Sequence, residues 1–404
     1  MMYTRLIIAR KVLTAAINLF LVSASVLVDS GRCYGQSQSS PVINMVFSSD
    51  AHYGISRTRF RSDSNVSSHI VNATMIQQMN SIPGLTLPQD GGINSGKKAG
   101  HVDYIIQTGD IANRMEAPIQ SAAASWAQFE KDYMRSFNLK GNNGKRAKLL
   151  LVPGNHDISN AIGFTKPLKP LTDPTSMVKI YNLMLKPAKP LTDSDYNYHT
   201  EKVNYSFNIK GIHLMFITLW PDSAERIWMG KDLDTVAKTT PVIIFTHDQP
   251  ECESKHFTNP LPPYNMTPEN KFQNLTEEHY KEGYVAADDG GATQLEQRGF
   301  VKFLKLHPNI KAYFHGNSNW NEFYTYHGPD NDVNLHVFRV DSPIKGKFSA
   351  KDEALLSFQF ISIHPVSQKL TVRECLWNTR PLQNDQKVVF GKSATVSLRV
   401  SSEY

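Results

Sequence analysis

Cysteine is scarce in this chain. Only Cys33, Cys252 and Cys375 occur, with no C-x-x-C spacing, which excludes a disulfide scaffold and argues against a structural zinc site. Charge of one sign is lacking as well: 43 basic residues face 37 acidic ones, and Arg5, Arg10, Lys11 and Arg32 carry much of the excess. Without the segment before Gln36 the net charge is about +3, too little for a nucleic-acid surface. No internal repeat is visible, and no membrane span is expected once that segment is removed. With 40% hydrophobic and 20% charged residues, disorder, collagen and coiled coil are excluded as the main organisation.

What is present begins with an address. Arg5, Arg10 and Lys11 lead into an apolar run from Val12 to Val28, followed by small polar residues. That is the layout of a secretory signal peptide, and the run sits at the short limit for crossing a bilayer. Cleavage after Ala24 or Gly35 would export the chain to the periplasm or the exterior, whereas an uncleaved run would anchor it to a membrane. The expected organisation is a signal peptide over 1–35, a linker over 36–42 and a single domain over 43–404. Arg32 directly before Cys33 argues against a lipid anchor. An exported chain would be free to pair Cys252 with Cys375, but connectivity is not legible from sequence, so the pairing stays open.

Five short apolar runs each end in a polar turn. Ile43-Asn-Met-Val-Phe-Ser-Ser leads to Asp50, and Val102-Asp-Tyr-Ile-Ile-Gln-Thr to Gly109-Asp110. Lys148-Leu-Leu-Leu-Val-Pro leads to Gly154-Asn155-His156-Asp157, Val242-Ile-Ile-Phe-Thr to His247-Asp248, and Ile310-Lys-Ala-Tyr-Phe to His315-Gly316-Asn317. Such runs read as buried strands, and loops at strand ends are where layered folds place chemistry. Helical spacing sets Trp126, Phe129, Tyr133 and Phe137 on one stripe, best read as core, and places further helices near 66–79, 177–184 and 295–304. Residues 203–219 read as a hairpin turning at Lys210-Gly211; 355–363 and 370–373 form another strand pair, with an edge strand over 396–400. Aperiodic insertions lie near 56–100 and 249–291, where lids and binding loops are expected.

Taken singly, each strand-end Asp or His reads as a capping or solvated residue. Their order changes this. Asp50-Ala-His52, Gly109-Asp110-Ile-Ala-Asn113-Arg114, Gly154-Asn155-His156-Asp157 and Thr246-His247-Asp248 follow one another, each after an apolar run. From Met45 to about Asn319 the chain resembles the calcineurin-like metallophosphoesterases, whose motifs are D-x-H, G-D-x-x-[DN]-R, G-N-H-[DE] and a lone H. The resemblance implies an α/β fold, a four-layer αββα sandwich of two mixed sheets flanked by helices. It also implies two divalent or trivalent metal ions (Mn, Fe, Mg or Zn) in a mixed oxygen and nitrogen shell. Asp50 and His52 would hold the first ion, their i, i+2 spacing placing both on one side of an extended segment. Asp110 would bridge the pair, and Asn155 and His247 would hold the second. His156, oriented by Asp157, would protonate the leaving group after in-line attack by a bridging hydroxide, and Arg114 would grip phosphoryl oxygens. Asn113 would support His156 or bind phosphate.

The family closes its site with G-H-x-H, whereas this chain has Gly316-Asn317-Ser318-Asn319. Three readings stand open: Asn317 and Asn319 ligate through amide oxygens, His315 supplies an imidazole, or the site binds metal weakly. Trp320 either stacks on part of the substrate or packs a strand start, and Glu322 is either a spare ligand or a paired surface carboxylate. The expected partner is a small-molecule phosphate ester, monoester or diester. The alternatives are a non-catalytic phosphate- or metal-binding protein of the same fold and, more weakly, a phosphoprotein phosphatase.

Overall fold

The computed structural model describes residues 42–113, 120–161, 173–251, 253, 256–257, 275–278, 294–383 and 386–400. The signal segment, Arg114, Cys252 and most of the 249–291 insertion lie outside them. Among the described residues no helix is long and apolar enough to cross a membrane.

The first sheet is built on β1 (Ile43–Ser48), β4 (Tyr104–Gln107) and β5 (Lys148–Leu151), which run parallel. β12 (Ser357–His364) pairs antiparallel to β1, and β13 (Lys369–Leu376) and β14 (Val389–Ser397) extend that edge. The second sheet has the order β10 (Glu322–Tyr326), β11 (Leu335–Arg339), β9 (Ile310–His315), β8 (Val242–Phe245), β7 (Ile212–Phe216), β6 (Tyr205–Ile209), with β7, β8, β9 and β11 parallel. Both sheets are therefore mixed, as expected.

Period-two alternation sorts the strand residues between layers. Met45, Phe47, Ile106 and Leu150 face inward with Phe216, Phe245, Phe314 and Phe338, forming the layer between the sheets. Phe216, Phe245, Phe314 and Phe338 stack in a row with centroids 4.8–5.0 Å apart, and Phe47 meets Phe314 edge-on at 5.5 Å. Intervening residues such as Val46, Ile105, Ile244 and Tyr313 cluster instead with apolar side chains of the flanking helices. These are α1 (Ser68–Met79), α2 (Ala122–Phe129), α4 (Thr175–Leu185), α5 (Ser223–Leu233) and α6 (Gln294–Leu306). The Trp126–Phe137 stripe is core, although the helix widens into a π-helical turn over Glu130–Arg135.

Two features escaped the sequence reading. A hairpin of β2 (Ser56–Phe60) and β3 (Asp63–Ser67) sits inside the first insertion, turning at Arg61 and Ser62 with positive φ. Its strands are mostly polar and, Arg57 and Phe60 apart, not buried, so they carry no apolar alternation. The edge strand β14 begins at Val389, well before Val396, because small and polar residues pair with β13 without being buried. Cys375 is a buried free thiol on β13, and Cys252 lies outside the described residues.

Candidate metal centre

The parallel strands of both sheets end at one edge, where their loops interlock. Asp50 N–H donates to Gly109 O at 3.0 Å, His52 N–H to Asp110 O at 2.8 Å, and Gly316 N–H to His247 O at 3.0 Å. Asp50, His52 and Asp110 have φ of 55°, 44° and 51°, and Asn317 and Asn319 have 57° and 64°. Left-handed backbone at non-glycine residues is uncommon and collects at functional sites. It also corrects the expected extended segment: β1 has ended at Ser48, and Asp50 and His52 converge through two left-handed residues rather than through strand alternation.

Gly154 lies between the end of β5 at Leu151 and α3 (Asn155–Ala161). A Cβ there would lie 2.4 Å from Asp110 N and 2.7 Å from His247 Cε1, so only glycine lets these loops approach. The first turn of a helix leaves amides without intrahelical partners. Asp110 Oδ1 accepts the His156 amide at 2.8 Å, which joins the two loops. Asp157 accepts amides from Gly154, Ile111 and Ala112 at 3.0, 3.2 and 3.1 Å. Its carboxylate thus staples α3 to the Asp110 loop instead of orienting the His156 ring, because α3 turns it toward the backbone. Burial and the Asp110 charge push it up to about 7, against those amides.

Asp110 is the hub. Its Oδ2 lies 3.6 Å from His52 Nε2 and 3.8 Å from His156 Nε2, and its Oδ1 lies 3.4 Å from His247 Nε2. Asp50 Oδ1 lies 3.7 Å from His52 Nε2, and Asn155 Oδ1 lies 3.1 Å from His247 Nε2. Two overlapping triads result, His52–Asp110–His156 and Asp50–Asp110–His247, each with ligand atoms within 4.8 Å of one another. Burial alone would push His247 down, but Asp110 and Asp50 outweigh it and hold the imidazole at about 10. Burial and the Asp110 charge raise Asp50 to about 6. The pocket is therefore built to take up positive charge, and a metal ion replaces a ligand proton. Asp50 Oδ1 and His52 Nε2 are buried without hydrogen-bond partners, as open ligand atoms are. His247 Nδ1 meets Thr108 O at 2.5 Å, the outer contact that fixes a ligating ring. Carboxylates, imidazoles and an amide oxygen in this arrangement fit divalent cations with mixed shells.

The model of the calcineurin-like phosphoesterases matches residues 90–316, more than half of the chain. The chain belongs to that family. Asp50 and His52 precede the matched span and are brought to it by β1 pairing with β4. Similar solved structures include a dimetal phosphatase from Danio rerio, 9% identical over 89% of this chain and 100% of that one, with a TM-score of 0.46. Vps29 from Chaetomium thermophilum is 8% identical over 89% and 98%, with a TM-score of 0.31. The calcineurin-like phosphoesterase YfkN from Bacillus subtilis is 9% identical over 89% and 92%, also at 0.31. No curated protein matches the chain.

Where this family member departs from the family motif, the replacements have definite surroundings. Asn317 N–H donates to Asp50 Oδ2 at 3.0 Å while its side-chain amide faces Gln249 Oε1 at 3.4 Å. Asn319 Nδ2 donates to Asn317 O at 2.6 Å, leaving its Oδ1 buried without a hydrogen-bond partner. His315 does not join either triad; its ring nitrogens meet Gly316 O at 3.0 Å and Tyr324 OH at 3.4 Å. Glu322 is paired, with Arg339 at 2.9 Å and Trp320 Nε1 at 3.1 Å. The Trp320 ring lies 3.8 Å from the Arg339 guanidinium and 4.1 Å from Lys347 Nζ. Asn113 is buried, its amide donates to Tyr53 O at 2.9 Å, and its side chain neighbours His52.

Sequence reasoning missed Lys345, whose Nζ lies 3.0 Å from His156 Nε2. At that atom His156 faces Lys345 and, at 3.8 Å, Asp110 Oδ2, not the expected carboxylate of Asp157. The signal available was slight: a Lys-Gly-Lys turn shortly after a strand.

Proposed function

We propose that this family member is an exported, metal-dependent hydrolase of phosphoric esters. The observation that carries the reading is Asp110 set between two buried imidazoles, its Oδ2 3.6 Å from His52 Nε2 and its Oδ1 3.4 Å from His247 Nε2, the placing a carboxylate shared by two ions requires. Asp50, His52 and, through Oδ1, Asn319 would hold one ion; Asn155, His247 and Asn317 the other. When bound, the ions would supply an activated water and neutralise charge on the phosphoryl oxygens. His156, its Nε2 3.8 Å from Asp110 Oδ2, would hand a proton to a leaving alkoxide. Arg114, next in chain to Asn113, would grip the substrate's free oxygens.

The test is metal content together with turnover of an aryl phosphate and an aryl phosphodiester. Asp110→Asn should lose bound metal and all turnover. His156→Ala should keep metal and slow turnover by about 10²–10⁴-fold. A second reading, a non-catalytic binding protein, is favoured by Asn317 and Asn319 replacing imidazoles; a metal-loaded wild type inert on both esters would establish it. Export is tested by sequencing the N-terminus of the mature protein, with an intact Met1 in the cytosol as the contrary result.

A further inference from the structure

The loop over 341–349, after β11, belongs to no family motif, yet it is bound tightly to the site. Ser342 Oγ donates to Asp50 O at 2.9 Å and accepts the Lys345 amide at 2.9 Å. Arg57, 2% exposed on β2, donates to Pro343 O at 2.9 Å and to Ser349 O. Lys347 N–H donates to Asn319 O at 2.6 Å. Both metal-site turns and the β2–β3 hairpin therefore fix one short loop, and that loop carries an exposed lysine whose ammonium reaches back to His156.

A built loop that aims one cation at the acid atom, from the solvent side, has a specific chemical use. A phosphomonoester dianion has three non-bridging oxygens. Two can face the buried ligand cluster while the leaving oxygen faces His156; the third is then left on the outer side. In a diester that position holds a substituted, uncharged oxygen. A lysine is a compact point charge on a flexible stem, able to turn from the His156 ring to a charged oxygen beside it. We propose that Lys345 is a specificity-determining residue that binds the third non-bridging oxygen of a phosphomonoester and so selects monoesters over diesters. The assignment rests on the hydrolase reading above for its catalytic part and deepens it.

The test compares Lys345→Met and Lys345→Arg with wild type in two ways. Calorimetry on the metal-loaded proteins, at mildly alkaline pH, reads orthophosphate dianion against dimethyl phosphate. Kinetics read kcat/KM for an aryl phosphate against an aryl phosphodiester. Loss of a charge-assisted hydrogen bond should weaken orthophosphate, and lower monoester kcat/KM, by about 10–100-fold in Lys345→Met. Dimethyl phosphate and the diester should change less than about threefold, and Lys345→Arg should restore part of the monoester loss. Equal losses on both ester classes, or unchanged orthophosphate affinity, would overturn the assignment. If wild type turns over neither ester but Lys345→Met still binds orthophosphate more weakly and dimethyl phosphate equally, the hydrolase reading fails and the Lys345 site stands.

Discussion

Gly154→Ala isolates the geometry on which the metal centre depends. The backbone at Gly154 is not left-handed, so alanine meets no conformational objection, and the effect is steric alone. The new Cβ would stand 2.4 Å from both Asp110 N and Asp110 Oδ1 and 2.7 Å from His247 Cε1. Ordinary contact begins near about 3.5 Å, so the Asp110 loop and the start of α3 must part by about 1 Å. Asp110 N is backbone and cannot swing away. Overpacking of this kind costs about 1–3 kcal/mol of stability. Metal donors tolerate only about 0.2 Å, so the same movement should weaken metal binding by about 10–100-fold. The assay is urea unfolding with and without a chelator, alongside metal content after dialysis. With chelator, Gly154→Ala should lose about 1–3 kcal/mol. With metal held about 100-fold above the wild-type Kd, the metal-dependent increment should fall from about 2.7 kcal/mol to about 0.4–1.4 kcal/mol. Gly84→Ala, where a Cβ meets nothing within 4 Å, is the control and should behave as wild type. Wild-type metal affinity in Gly154→Ala would refute the claim that Asp110 and Asn155 are two ligands of one centre.

Asn319 already occupies left-handed backbone, a conformation histidine tolerates better than most residues, so Asn319→His should fold normally and bind zinc more tightly, as competition with a chromogenic chelator would read. An unchanged zinc affinity would place that side chain outside the shell. Glu225 is raised from 4.5 to about 8 by burial and by the charge of Asp222. A raised carboxyl contributes stability that is complete below its unfolded pKa and lost as pH climbs through the folded one. Wild-type stability should therefore fall relative to Glu225→Gln between about 4.5 and about 8 in urea titrations at stepped pH, and parallel profiles would refute the assignment.

Much of this protein is written in short stretches of chain. The apolar runs that became β1, β4, β5, β8 and β9 announce themselves, because burial on both faces demands unbroken hydrophobicity. The Lys210-Gly211 hairpin does so as well, since both residues adopt the positive φ that a two-residue turn needs. Asp50, His52, Asp110, Asn155, His156 and His247 follow such runs too, but it is the order of their motifs and the family resemblance that single them out. What distance along the chain separates, local pattern does not reveal. Lys345 meets His156 across 189 positions, and Arg57 holds Pro343 across 286. The duty of Asp157 was misread for a related reason: which groups its carboxylate meets depends on how α3 docks against the Asp110 loop, not on its place in a tetrapeptide. Strand periodicity and motif order are properties of neighbours in sequence, so sequence alone determined the family and the strand ends. Packing of the two sheets through their phenylalanine layer brought those ends to one edge, and only that packing decided which side chains meet and which cation looks into the pocket.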